Sequence, residues 1–263
     1  RAVPRDRAEA GALLLALRRG FGSIDDRARA DELRAEGDRC SHELIAARLA
    51  THRPNDALLS EEGSDDPARL SATRVWIVDP LDGTWEYGQG RTDFAVHVAL
   101  WDGVELAACT VDLPGQGQTR SMLDDATGSA SMFPLPTDRP IRIVASRTRP
   151  PAALARAGEI LGERLAAAGV TAQGVEIVDV GSVGAKVNEI LCGRAEAYVH
   201  DTGFYEWDVA APYGVARHYG FVAMHVDGSP VTFNHLPPYV TDLLVAHPDL
   251  VDDLRAALAA ASS

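Results

Sequence analysis

The chain has 263 residues, 46% hydrophobic and 24% charged, which suits one large domain or two closely packed halves and excludes a small disulfide-stapled scaffold or wholesale disorder. A formal charge of −13 argues against a nucleic-acid polymer as partner, and it would repel a phosphoester unless divalent cations stood between the two. Cys40, Cys109 and Cys192 lie far apart with no C-x-x-C pair, and no apolar run approaches the roughly 20 residues of a membrane span, so a reducing cytoplasm and no membrane contact are expected.

In chain order, Leu13, Leu14 and Leu17 give helical periodicity over 8–19. Cys40, Leu44, Ile45 and Leu49 give it again over 39–51, with Asp38 placed as a helix N-cap. Strand patterns follow at 57–60, 74–78, 94–101 and 104–111, so the first half reads as two helices leading into a largely antiparallel sheet. The least regular stretch, 112–139, carries Gly115, Gly117, Gly128, Pro134 and Pro136. It divides the chain into an expected helix-and-sheet half at 1–139, holding most of the acidic site, and an α/β half at 140–263.

In that second half, strands at 141–145, 175–180, 195–199 and 221–226 alternate with helices at 151–168, 182–192, 207–219 and 248–261. Such alternation implies crossover units and a sheet buried between helices, hence a layered α/β architecture with two sheets.

Chemistry concentrates in Val75-Trp76-Ile77-Val78-Asp79-Pro80-Leu81-Asp82-Gly83-Thr84. An apolar strand ends at Asp79, Pro80 fixes the chain direction and Gly83 permits a tight turn, so Asp79 and Asp82 can face one point as hard oxygen ligands. Were Thr84 to open a helix, its free N–H groups would seat a phosphate beside them. Glu61 and Glu62 close a second strand, and Asp208 falls in the first turn of a helix. Each residue also has a bland reading: turn chemistry for Asp79 and Asp82, a solvated turn for the Glu pair, a helix cap for Asp208.

Taken together and in order, S-E-E at 60–62, D-P-L-D-G-T at 79–84 and W-D-V-A-A-P at 207–212 resemble the signature of the lithium-sensitive, magnesium-dependent inositol monophosphatase superfamily. The resemblance spans about residues 8–240. It implies an αβαβα sandwich with two sheets between helix layers, and a homodimer. It further implies that Glu61, Asp79, Asp82 and Asp208, with the Leu81 carbonyl, hold two or three Mg²⁺ ions, with Li⁺ as an inhibitor. Asp38 and Thr84, together with Glu61, would be the catalytic groups that activate water.

Within the superfamily the chain looks most like the CysQ-type bisphosphate nucleotidases. The features are Gly181-Ser182-Val183-Gly184-Ala185-Lys186, which holds the only lysine, Glu86-Tyr87, Ser146-Arg147, and Glu206-Trp207-Asp208 with Pro212. The resemblance assigns substrate contacts to Gly83, Thr84, Trp85, Ser146, Arg147, Ser182, Lys186 and Asp208. The implied reaction converts 3′-phosphoadenosine 5′-phosphate to AMP and phosphate. Departures are Trp85, where nucleotidases carry Lys or Arg, Thr148-Arg149 in place of Ser-His, and the missing lysine ahead of Asp38; they open the way to inositol 1-phosphate or fructose 1,6-bisphosphate as substrate. A non-catalytic, metal-binding homologue is the reading outside enzymology.

Other catalytic classes find no support. Asp79 and Asp82 are one residue too far apart for the D-x-D of haloacid-dehalogenase phosphatases, and 181–186 fits neither G-x-x-x-x-G-K-[ST] nor G-x-G-x-x-G. There is no EF-hand loop, no G-x-S-x-G and no zinc-spaced histidine pair, and His97 reads as a packed or hydrogen-bonded strand residue.

Overall fold

The structure, a computed structural model, describes residues 9–24, 26–126 and 130–262. Helices α1 (Glu9–Phe21) and α2 (Arg27–His52) precede a five-stranded sheet of β1 (Ala57–Ser60), β2 (Val75–Asp82), β3 (Ala95–Trp101), β4 (Leu106–Leu113) and β5 (Gln118–Ser121). Its strands lie in sequence order, β1 parallel to β2 and the rest antiparallel, with the short helix α3 (Thr84–Gly88) between β2 and β3.

The remaining elements are β6 (Ile141–Ser146), α4 (Leu154–Ala167), β7 (Val175–Val180), α5 (Val183–Leu191), β8 (Ala197–His200), β9 (Phe204–Tyr205), α6 (Glu206–His218), β10 (Val222–Met224), β11 (Tyr239–Val240), β12 (Leu243–Ala246) and α7 (Val251–Ala261). They build a mixed sheet of order β10-β12-β8-β6-β7, with β6 parallel to β7 and β8, plus a small β9/β11 pair.

The period-2 alternation of strand side chains explains the stacking. Val75 and Ile77 of β2 face inward with α5 and α6, while Trp76 and Val78 face outward toward Ile45 and Leu49 of α2. In the second sheet Val144, Tyr198, Leu243 and Val245 face the same α5/α6 layer, and Ile143, Val199, Leu244 and Ala246 face α4 and α7. The order is therefore α1α2, sheet, α5α6, sheet, α4α7, the five-layer sandwich expected above.

The inner layer is tightly packed. A Cβ built on Gly214 of α6 would overlap Cys109 Sγ on β4. Gly214→Ala is expected to cost about 1–3 kcal/mol through overpacking and to lower the thermal midpoint by several degrees, measurable by calorimetry.

The structure departs from the sequence reading at three places. The second helix begins at Arg27, not at 39, with Asp26 as its N-cap accepting from Arg29 N; Asp38 is therefore a mid-helix residue and caps nothing. Residues 27–38 carry little apolar periodicity but many helix formers, tied by Arg29–Glu32, Arg34–Asp31 and Arg39–Glu36 pairs. Strand β5 lies inside the stretch read as irregular, and β12 completes the second sheet where no strand was expected. Among the described residues, no helix is long and apolar enough to cross a membrane, and all three cysteines are free.

Candidate active site

Two aspartates three residues apart on a regular strand would point to opposite faces. Here they do not, because β2 carries a bulge: Asp79 pairs with His97 and Asp82 with Ala95, so three steps on β2 match two on β3. Asp79 and Asp82 thus share the inward face with Val75, Ile77 and His97, toward the α5/α6 layer. The first turn of α6 brings Asp208 to the same place, and the carboxylate oxygens of Asp79, Asp82 and Asp208 lie within 4.8 Å of one another.

Each is held. Asp79 Oδ1 accepts the Leu81 N–H at 3.0 Å, and Asp82 Oδ2 accepts the Gly184 N–H at 2.9 Å at the start of α5. Asp208 Oδ2 accepts the Tyr205 N–H at 2.8 Å, so the capping reading is also true, and Oδ1 is left for the site. Buried His97 braces the group from behind, Nδ1 at 3.4 Å from the Trp207 carbonyl and Nε2 at 3.1 Å from Asp82 Oδ2, though out of line for a hydrogen bond.

The turn after β2 works as its residues require. Gly83 adopts φ +86°, a left-handed conformation that glycine takes without strain, and a Cβ there would also crowd Ser182 at 3.0 Å. The Thr84 hydroxyl then sits 3.0 Å from the Leu81 carbonyl and 3.4 Å from Asp38 Oδ1 on α2.

The electrostatics are those of carboxylates crowded out of water. Burial, then Glu61, Asp82 and Asp208, push Asp79 well above the ordinary carboxylate range. Burial and the Asp208 charge raise Glu61 to about 8, eased by a hydrogen bond with Asp79. Glu61 is exposed as a whole residue and lines the same cavity, outside the three carboxylates whose oxygens lie within 4.8 Å of one another. Burial and Glu62 bring Asp38 to about 7, and burial and Asp82 bring Asp208 to about 6. Asp82 alone is held below its usual value: burial opposes ionisation, but His97, the Gly184 N–H and Lys186 outweigh it. A compact set of hard oxygen donors whose negative charges raise one another's affinity for protons fits divalent cations.

The site opens into a cavity of about 480 Å³ whose wall includes Glu61, Asp79, Leu81, Asp82, Gly83, Thr84 and Asp208. The same wall holds Trp85, Ser146, Arg147, Ser182 and Lys186, so the expected substrate contacts share one space with the carboxylates. Asp38 reaches it through Thr84 rather than lining it.

Several of these side chains already have structural work. Ser182 caps α5, its Oγ accepting from Ala185 N at 2.9 Å, and Ser146 Oγ accepts from Arg149 N at 3.2 Å. Lys186 is buried at 4% exposure, donating to the Gly181 and Ser182 carbonyls, with burial lowering its pKa to about 8. Arg147 bonds Glu86 at 2.8 Å and Asp93 at 3.3 Å. Arg149, also in the wall, has no carboxylate partner among the described residues.

Other parts of the site escaped the sequence reading. His97 reads from the sequence as a packed or hydrogen-bonded strand residue, which it is; that it stands beside the carboxylates follows only from the register of β2 on β3, which places it opposite Asp79. Tyr198 and His200 sit in the wall with Tyr198 Oη and His200 Nδ1 buried and unpartnered, each costing about 1–3 kcal/mol until a polar ligand atom or water meets it.

Comparison with known proteins gives the family. The model of the inositol monophosphatase family matches residues 6–260. The 3′-phosphoadenosine 5′-phosphate phosphatase of Mycobacterium leprae is 41% identical over 251 residues, covering 92% of this chain and 86% of that protein. Its counterpart in Mycobacterium tuberculosis is 40% identical over 257 residues, covering 95% of this chain and 90% of that protein. The crystal structure of CysQ from Bacteroides thetaiotaomicron superposes with a TM-score of 0.67 at 23% identity, over 92% of this chain and 94% of that one. With its carboxylate cluster, five-layer fold and near full-length match, the chain belongs to the inositol monophosphatase family.

Proposed function

We propose that this chain is a Mg²⁺-dependent phosphomonoester hydrolase that converts 3′-phosphoadenosine 5′-phosphate to AMP and phosphate. The observation that carries the reading is the convergence of Asp79, Asp82 and Asp208 within 4.8 Å at one end of a nucleotide-sized cavity. The substrate is taken from the mycobacterial relatives, about 40% identical over most of both chains.

Glu61, Asp79, Asp82, Asp208 and the Leu81 carbonyl would hold two or three ions. When bound, Mg²⁺ supplies charge neutralisation at the phosphoryl oxygens and a more acidic water. The chain's own residues do the rest. Thr84 stands between the Leu81 carbonyl and Asp38, and Asp38, brought to about 7 by burial and Glu62, is a base matched to neutral pH for the proton of the attacking water. Water oxygen bonds to phosphorus as the bond to the ribose 3′-oxygen breaks, that oxygen taking a proton from solvent water to leave as the hydroxyl of AMP, and no covalent enzyme intermediate is needed. Of the three cations in the wall, Arg147 is bonded to carboxylates and Lys186 to carbonyls, leaving Arg149 for the second phosphate. A cytoplasmic homodimer, inhibited by Li⁺, completes the reading.

The test is phosphate release with and without Mg²⁺ from 3′-phosphoadenosine 5′-phosphate, inositol 1-phosphate and fructose 1,6-bisphosphate. Mg²⁺-dependent release with the highest kcat/KM on the nucleotide is the expected result. A preference for either other ester overturns the substrate, and silence on all three overturns the activity.

A further inference from the structure

The carboxylates account for one end of the cavity; its mouth has a different character. Trp85, Tyr205 and Tyr239 are 50%, 47% and 46% exposed, and all three line this cavity. They come from three separate segments, yet each is tethered to the catalytic end. Trp85 follows Thr84 directly, Tyr205 lies three residues before Asp208, and Tyr239 is the register partner of Tyr205 across β9 and β11.

Their orientations are fixed by neighbours. Tyr205 stacks on Trp207 with ring centroids 4.6 Å apart, and Tyr239 meets Tyr205 edge-on at 5.9 Å. The Arg147 guanidinium, anchored by Glu86 and Asp93, lies 5.9 Å from the Trp85 ring centroid. One face of the indole is thus backed by a fixed cation, while half of the residue remains open to solvent.

Exposed aromatic surface is costly in water unless something flat and apolar covers it. An inositol or a hexose bisphosphate offers hydroxyls and no aromatic face; a purine offers a flat ring one sugar away from the scissile phosphate. Resting on the nucleotidase reading above, we infer that Trp85 is the stacking platform for the substrate's nucleobase, with Tyr205 and Tyr239 as the facing wall. Trp85 then acts as a specificity residue, selecting a nucleoside phosphate over a polyol phosphate by ring stacking where a cation would select by charge.

Stacking of a base on an aromatic side chain is worth about tenfold or more in binding. Trp85→Ala is therefore expected to lower the ratio of kcat/KM on 3′-phosphoadenosine 5′-phosphate to kcat/KM on ribose 3,5-bisphosphate, which lacks only the base, by at least about tenfold, chiefly through KM. Trp85→Phe should recover most of the ratio, and Tyr239→Ala should lower it less. Independently of turnover, AMP should quench tryptophan fluorescence in the wild type, and most of that quenching should vanish in Trp85→Phe although the three other tryptophans remain.

An equal loss on both esters, or AMP quenching unchanged in Trp85→Phe, overturns the inference. So does light scattering that finds a wild-type oligomer dissociating in Trp85→Ala or Tyr239→Ala, since the rings would then cover a subunit contact. A wild type inactive on the nucleotide but active on ribose 3,5-bisphosphate defeats the function reading instead, and is visible before any variant is made.

Discussion

Asp79→Asn, with metal chelated, is expected to unfold at a higher temperature than the wild type, while losing at least about a hundredfold in phosphate release when Mg²⁺ is restored. Both effects come from one cluster. Burial and the charges of Glu61, Asp82 and Asp208 hold Asp79 far above its ordinary pKa, so without cations the folded chain is strained by like charges. Asn keeps an Oδ1 for the Leu81 N–H, bonded at 3.0 Å in the wild type, and removes the repulsion. Function and stability are opposed at this residue.

The same cluster sets a sign for pH. Glu61 at about 8 and Asp208 at about 6 hold protons that the unfolded chain, with carboxylates near roughly pH 4, has already released. For raised carboxylates, stability falls as pH rises through the folded values. The chelated wild type should therefore be most stable near the acid end of the window from about 6 to about 8, and Asp79→Asn should flatten that slope. Because the ligands must deprotonate to bind a cation, the gain in thermal midpoint on adding Mg²⁺ should grow with pH in the wild type and be nearly absent in Asp79→Asn. Calorimetry at three pH values, with EDTA or with Mg²⁺, checks all three; a chelated Asp79→Asn less stable than wild type would show that the cluster is not repulsive.

The layered architecture was legible because the segments carry the right periods. Strand 75–78 is apolar throughout and 141–145 apolar but for Arg142, as double-sided burial requires, and the helices at 151–168 and 182–192 announce crossovers. Asp79, Asp82, Glu61 and Asp208 were legible as strand-end and helix-start acids, but the shared face of Asp79 and Asp82 rests on a bulge that no local pattern in β2 reveals; only pairing with β3 shows the extra residue. Asp38 reads from the sequence as a helix N-cap but lies inside α2, because the polar first turns of α2 are held by charge pairs rather than an apolar stripe. Lys186 illustrates the opposite difficulty. A lone lysine suggests solvent, whereas this one lies at 4% exposure against the Gly181 and Ser182 carbonyls, an environment set by α5 docking between two sheets.

What ties these separated segments into one site also fixes the largest stability effect outside the carboxylates. Glu206 is fully buried and accepts the Asn234 and His235 N–H groups, both at 2.7 Å, one residue before Trp207 and two before Asp208. Arg69, 1% exposed, holds the same loop from the other side through Asn234 Oδ1 at 2.7 Å and the His235 carbonyl at 2.8 Å, while pairing with Asp65 at 2.6 Å, four residues after Glu61. The start of α6, the 234–235 loop and the chain leaving Glu61 are thus clamped together. Glu206→Ala leaves one buried and one part-buried donor unmet and should cost about 3 kcal/mol, roughly 6–12 °C in thermal midpoint. Arg69→Ala, stranding Asp65 and Asn234, should cost a similar amount. Since both hold one loop, the double variant should lose less than the sum of the singles by about 1 kcal/mol. Full additivity in denaturant titrations would mean that the two residues stabilise separate regions, and that the clamp does not act as a unit.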